Sequence, residues 1–379
     1  MPHSLLIRLR PTAPWRIGPN SGDRDRVDRV YHSDSLYSSL THAMSRLGNL
    51  QDWLAATAQS ENPAVRLSSA FPFHGETRYI VPPRHLWPPP ASSKVRWKGA
   101  SFVPLSIVES LIQGRPISEE AWTIDVQSEC LVPSNQNPAT GPFRIAVRTA
   151  AAIDREGNGV APHSSACLEF TPGAGLWAIA TFESEEAEST WKSKLTAALR
   201  LLADSGFGGE RSRGWGRCEM PEIVEGDITK LLFASSPSSE AYWLLSLFHP
   251  SPEDQVDWNQ GDYSLETRRG RIESDASHGD AKKPSRMVAE GSVLVSASAL
   301  KGSSPDVAPE GFPHPVYRSG VALALPIPFK NRTATVMERP APVPQTHVAR
   351  ENIPEVAVLE PEPAVEKDDE LETPEAEVI

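Results

Sequence analysis

Gly206-Phe207-Gly208-Gly209-Glu210-Arg211-Ser212-Arg213-Gly214-Trp215-Gly216-Arg217 puts five glycines and three arginines within twelve residues. Glycine admits positive φ and lets the backbone come close to another group. Successive N–H groups in such a turn form an anion-binding concavity, and each arginine adds a planar fork of donors matched to phosphate. Residue chemistry therefore marks Gly206, Gly208, Gly209, Arg211, Ser212, Arg213, Gly214, Trp215 and Gly216 as candidate contacts to a phosphate backbone and its bases. The segment holds no evident nucleophile or general base, so its chemistry is grip rather than reaction.

The common nucleotide motifs do not fit. A phosphate-binding P-loop ends in Gly-Lys-Ser/Thr, and a dinucleotide fingerprint runs G-x-G-x-x-G into a helix after a strand. Here Gly208 leads through Gly209 to Glu210 and Arg211. Arg213-Gly214-Trp215-Gly216 echoes the start of an RNA-recognition box, but Arg217 and Cys218 break it. The alternative is a glycine ending a helix, followed by a turn and an exposed strand. Trp215, set between two glycines, either stacks on a base, worth ~1–3 kcal/mol, or packs under the loop.

Two further groups have reactive side chains. His32-Ser33-Asp34 stands at a helix start, with Ser33 as N-cap and Asp34 suited to the helix dipole. Adjacent residues diverge around a helix start, so a structural or interface role is expected rather than a catalytic triad. His74, His85 and His163 are isolated among loop-like residues, and no D-x-D or His-Asp pair sits at a strand end. Neither a metal site nor a metal nuclease is expected. In Phe143-Arg144-Ile145-Ala146-Val147-Arg148, the strand period puts both arginines on one face. They either track two phosphates or keep an exposed strand soluble.

The elements that must position these groups are legible in part. Leu5, Ile7 and Leu9 alternate as in a half-buried strand. Leu36, Leu40, Ala43 or Met44, and Leu47 recur at helical spacing up to Gly48. A second helix spans about 185–203, with an acidic first turn and Trp191, Leu195, Ala198, Leu199 and Leu202 on one face. Gly206 is placed to stop it, and a strand is expected around 215–220. Prolines 82, 83, 88, 89 and 90 exclude a central strand or helix. Residues 84–160 read as an insertion of short strands, including 143–150; 168–170 and 176–182 read as further strands.

The order strand, helix, strands, helix, glycine-rich loop, strand is that of a ferredoxin-like (RRM-like) α+β domain over residues 1–225. A second, smaller domain over 240–330 is either β-rich or a degenerate copy, with strands near 241–248, 287–296 and 317–328. Residues 331–379 are rich in Pro, Glu, Val and Ala and are expected to be disordered.

The chain has 379 residues and a formal charge of −12. Residues 351–379 carry eleven acidic residues and one lysine, a net of −10, so the body is near neutral and its acidity does not oppose nucleic-acid binding. Basic clusters within it are local: Arg211/Arg213/Arg217, Arg268/Arg269/Arg271 and Lys282/Lys283/Arg286. The acidic tail is a candidate competitor for the loop. Cys130, Cys167 and Cys218 are far apart with no C-x-x-C spacing, as in a reduced protein. No signal peptide or membrane-spanning run is seen, and a cytoplasmic location is expected.

With these pieces in place, the chain resembles the RAMP superfamily of CRISPR proteins. More narrowly, it resembles the subunit of type III-A (Csm) effector complexes that caps the 5′ end of the guide RNA. The resemblance rests on His32-Ser33-Asp34-Ser35-Leu36, on the Gly206–Gly216 loop at its separation, and on Leu5–Leu9 leading to Ile17-Gly18. It covers residues 1–220. Arg16 stands where members often have histidine. The resemblance implies a non-catalytic RNA-binding subunit that holds the single-stranded 5′ handle of the crRNA. Its implied neighbours are the large signature subunit and the backbone RAMP subunit, and no cofactor is implied. It also implies that the inserted hairpin contacts RNA or a neighbouring subunit. The alternative is a metal-independent, repeat-specific endoribonuclease of the same superfamily, with His32 as its catalytic residue.

Overall fold

The computed structural model describes residues 3–19, 21–89, 97–135, 141–153, 159–228, 232, 241–274 and 277–329. The predicted tail at 331–379 lies outside them. Strand β1 (His3–Leu9) buries Leu5, Ile7 and Leu9 as the alternation requires. Helix α1 (Ser33–Arg46) turns Leu36, Leu40, Ala43 and Met44 inward, while Leu47 falls beyond its end and is exposed. A short α2 (Leu50–Ala56) follows, and its Trp53 stacks on Tyr37 at 5.6 Å.

Three strands escaped the sequence reading: β2 (Val65–Leu67), β3 (Phe71–His74) and β4 (Thr77–Ile80). Each is only three or four residues long, and Pro72 interrupts the strand signal. The insertion is also not purely β. It holds β5 (Val103–Pro104), then α3 (Leu105–Ile112), which buries Leu105, Ile107 and Val108. Then come the hairpins β6 (Trp122–Asp125) with β7 (Cys130–Pro133) and β8 (Phe143–Ile153) with β9 (Val160–Phe170).

Strand β10 (Ala174–Phe182) is buried along its whole length. Helix α4 (Glu185–Ser205) is capped by Ser184, whose hydroxyl accepts the Ala187 N–H at 3.1 Å. Its Trp191 meets Trp53 edge-on at 5.4 Å, joining it to the first two helices. The next strand, β11 (Glu222–Asp227), starts later than the 215–220 expected. Positive φ at Gly214 and Gly216, 78° and 77°, breaks the extended geometry that a strand there would need.

The first sheet runs β11-β1-β10-β3-β4-β5, with β2 also on β10, and every pairing is antiparallel. Helices α1 and α4 pack together beside it. Between residues 241 and 329 the described residues form strands and turns without a helix, as expected. They are β12 (Ala241–Leu244), β13 (Val256–Asp262), β14 (Leu265–Arg268), β15 (Arg271–Ser274), β16 (Ser277–Ala281), β17 (Ser285–Val288), β18 (Val293–Ser296), β19 (Gly302–Ser303), β20 (Gly320–Val321) and β21 (Ala324–Ile327). The second sheet orders as β13-β18-β12-β21. Trp243, Leu245, Val293 and Leu325 belong to the same hydrophobic core as Leu5, Leu40 and Leu199, while Leu244, Phe248, Val288, Leu294, Leu300 and Ala322 form a second, smaller cluster. No helix among the described residues is long and apolar enough to cross a membrane.

Candidate nucleic-acid interface

The glycine-rich segment is a folded turn clamped onto the body by its one fully buried apolar residue. Phe207 stacks on Trp15 at 5.2 Å, and Tyr31 meets the Trp15 and Phe207 rings edge-on at 5.6 and 6.3 Å. Such pairs contribute about 0.5–1.5 kcal/mol each beyond burial. Gly206 ends α4 with φ of 98°, and a side chain there would collide with the Trp215 carbonyl. A side chain on Gly216 would strike the Phe207 backbone. The glycines at these two positions therefore let the loop's two limbs close on each other.

That closure corrects part of the sequence reading. The amides of Gly206, Phe207, Gly209, Arg213, Gly214 and Gly216 donate to the carbonyls of Leu202, Gly216, Arg16, Glu210, Arg211 and Pro14, at 2.7–3.0 Å. Those amides are committed within the protein and do not form an anion cradle. Trp215 is only 8% exposed, so the packing reading holds for it and the base-stacking one does not.

The loop presents side chains instead. A short turn, residues 211–213, carries Arg211, Ser212 and Arg213 beside an open cleft of about 600 Å³. The cleft is lined by His42 and Arg46 of α1, by Gly208, Gly209, Arg211 and Ser212, and by Glu273 of β15. Arg211 Nη2 bonds both oxygens of Glu273 at 2.5 Å. Arg213 is held by Glu210 at 3.2 Å and by His163 Nε2 of β9 at 2.8 Å. Arg217, just after the loop, is exposed. His42 and Arg46 were missed in the sequence, where their i, i+4 spacing on a cationic stripe was the available signal.

Arg144 and Arg148 share one face of β8, as the strand period required, and both grip Glu169 on β9, at 2.8 and 2.5 Å. Glu169 is held below the usual carboxylate range by its hydrogen bonds from Arg148 and then Arg144. The other end of this hairpin is brought to the loop through His163. Arg16 completes the junction. Its buried guanidinium donates to the carbonyls of Asp23, Arg24 and Ala166 at 2.8–2.9 Å, while its own carbonyl receives Gly209 N–H.

His32, Ser33 and Asp34 are buried where the start of α1 meets residues from after 240. Ser33 is not the N-cap: helix α1 begins at it, and its hydroxyl accepts the Leu247 N–H at 3.0 Å. The cap geometry yields to the demand of a buried amide from the segment after β12. His32 Nδ1 lies 2.9 Å from Glu290 and Nε2 lies 3.1 Å from Asp28. Burial alone would lower its pKa, but the Glu290 charge and the two carboxylate contacts raise it. Asp34 receives Arg268 through two bonds of 3.0 and 3.1 Å and Arg318 at 3.0 Å. Burial opposes its ionisation, yet the Arg268 charge and hydrogen bonds, then Arg318, hold its carboxyl well below the usual range. Arg268, read as part of a basic surface cluster, is thus a buried ion-pair partner.

Comparison with known proteins agrees with this architecture. Residues 64–219 match the family model of the RAMP superfamily, and residues 237–327 match that of the CRISPR Csm4 C-terminal domain. Among solved structures, the chain is similar to one from the crystal structure of the Csm3–Csm4 subcomplex in the type III-A CRISPR–Cas interference complex. The identity is 17% over 85% of this chain and 99% of that one, with a TM-score of 0.59. It is also similar to one from the Csm1–Csm4 cassette in complex with cA4, at 18% identity, 87% and 99% coverage and a TM-score of 0.54. No curated protein matches the sequence. These two family matches, one over residues 64–219 and one over residues 237–327, support a Csm4-like RAMP protein.

Proposed function

We propose that this protein is the RNA-binding subunit of a type III-A CRISPR–Cas complex that holds the single-stranded 5′ handle of the crRNA without cutting it. The observation that carries the reading is the turn at 211–213. It is anchored on Phe207, Trp15 and Tyr31 and sets Arg211, Ser212 and Arg213 beside a cleft that His42 and Arg46 complete. Phosphates of a splayed strand fit this row of cationic donors, and the shape of single-stranded RNA suits an irregular, loop-built surface. The β8–β9 hairpin, joined to the loop through His163, extends the track to Arg144 and Arg148.

The first sheet supports a ferredoxin-like domain. β1, β3, β10 and β11 with α1 and α4 follow the β-α-β-β-α-β order, and in the sheet these four lie side by side as β11-β1-β10-β3. The boundaries near 225 and 240 then separate this domain from the β-rich second one. The solved relatives assemble with a Csm3 or a Csm1 chain. By extension this protein sits in the cytoplasm between a backbone RAMP subunit and the large signature subunit, and needs no cofactor. The endoribonuclease reading has no support in the site, because His32 is enclosed and both ring nitrogens face carboxylates.

End-labelled repeat RNA, incubated with the purified protein without metal and run on native and denaturing gels, tests this. Shifted, intact RNA is expected. Cut RNA, or no shift at low salt, overturns the reading.

A further inference from the structure

Away from the loop, one cluster has the chemistry of a cation site. His32 Nε2 lies 3.1 Å from Asp28 Oδ2 and 3.7 Å from Glu266 Oε1. The three ligand atoms fall within 4.8 Å of one another. A divalent cation bound at about 2.0–2.2 Å to nitrogen and oxygen ligands needs donor atoms roughly 3–4 Å apart, which these nearly provide.

Each of the three is also oriented by a group outside the cluster. Glu290 Oε1 backs the imidazole at Nδ1, 2.9 Å away, and so points Nε2 at the two carboxylates. Val30 N–H holds Asp28 Oδ1 at 3.2 Å, leaving Oδ2 turned to the histidine. Arg268 Nη1 donates to Glu266 Oε1 itself at 3.0 Å, a hydrogen bond to the ligand oxygen that holds it beside the histidine. A carboxylate behind a histidine, with hydrogen-bonded carboxylate ligands, is how protein metal sites fix tautomer and ligand direction. The histidine is buried, whereas the side chains of Asp28 and Glu266 are 25% and 26% exposed, which leaves a way in. Asp28, Asp34, Glu266 and Glu290 face the fixed cations Arg268, Arg318 and Lys282, so one carboxylate charge is left over once the ion displaces the His32 proton.

We propose that Asp28, His32 and Glu266 form a binding site for a divalent transition-metal cation of the zinc or manganese type. The imidazole selects such an ion over magnesium, which prefers oxygen ligands and its own waters. The bound ion takes the place of the proton between His32 and Asp28. It ties the segment before α1 to β14, and so clasps the first sheet's domain to the second. The site is independent of RNA binding.

The test uses the full chain, stripped with a chelator, dialysed against buffered zinc or manganese, and assayed for bound metal. Wild type should retain a single equivalent more than Asp28→Asn and Glu266→Gln, and its Tm should rise on loading while theirs does not. The amide oxygen introduced by Asp28→Asn would still accept the Val30 N–H, and Glu266→Gln provides the comparison if the first variant fails to fold. Glu290→Gln should weaken the affinity about 10- to 100-fold, as loss of an orienting partner does. Equal metal content in wild type and a folded variant, or no uptake at all, assigns the cluster to a proton-held ion pair and overturns the proposal.

Discussion

At the scale of residues, the cationic side chains Arg144, Arg148, Arg211 and Arg213 of the proposed interface are all partnered by carboxylates or by histidine. Arg211 holds Glu273, and Arg144 with Arg148 holds Glu169. A phosphate must displace these partners, since both compete for the same guanidinium fork. Exposed pairs of this kind are worth only about 0.2–1 kcal/mol, so displacement is easy. Glu273→Gln should therefore tighten RNA binding by up to about fivefold, measured by titration at fixed salt. A weaker complex would mean that Glu273 orders Arg211 rather than occupying it. The double variant Arg211→Glu, Arg213→Glu should weaken handle binding and lower the salt slope by about 0.7 for each lost phosphate contact. An unchanged affinity and slope would remove the loop from the interface.

At the scale of elements, the loop's geometry depends on the Phe207 anchor as well as on its glycines. The helix before it is stopped at Gly206, and the chain must at once bury an aromatic ring against Trp15 before turning out to Arg211. Phe207→Ala should cost about 3–5 kcal/mol of stability by denaturant unfolding, the range for large aromatic truncations in a core. At a temperature where the variant is still folded, its RNA affinity should also fall, because the turn loses its anchor. Loss of stability with intact affinity would show that the turn is shaped from the Arg16 and Pro14 side alone. The late start of β11 belongs to the same scale. Gly214 and Gly216 were legible as turn residues, but the number of glycines suggested a ligand cradle, when the task of Gly206 and Gly216 is to let two backbone limbs meet.

At the scale of the whole molecule, the start of α1 is tied to the residues after 240 by a charged, buried cluster. Asp34 at the start of α1 binds Arg268 of β14 and Arg318, both buried. Desolvating these groups is costly, and removing one partner leaves the others unpaired in a poorly solvated space. Asp34→Ala should therefore destabilise the protein by about 3–5 kcal/mol in equilibrium unfolding. A loss below about 1 kcal/mol would mean that water or another carboxylate compensates the two arginines.

What the sequence by itself determined is whatever depends on local period and local chemistry. Strand β1, helices α1 and α4, the stop at Gly206, the shared face of Arg144 and Arg148, and the lack of helices among the described residues after 240 all follow from spacing within a short window. The resemblance to RAMP proteins rested on the same local motifs. The short strands at 65–80 and helix α3 were hidden because so few residues, with a proline among them, carry too weak a periodic signal. Which partner each charged group would find was decided only by tertiary structure. Glu273 lies 62 positions from Arg211, Glu290 lies 258 from His32, and Arg318 lies 284 from Asp34. No local pattern encodes contacts of that separation. They arise when the residues after 240 close over the start of α1 and bury polar groups that must then satisfy one another, which makes His32, Ser33 and Asp34 a joint between α1 and that region.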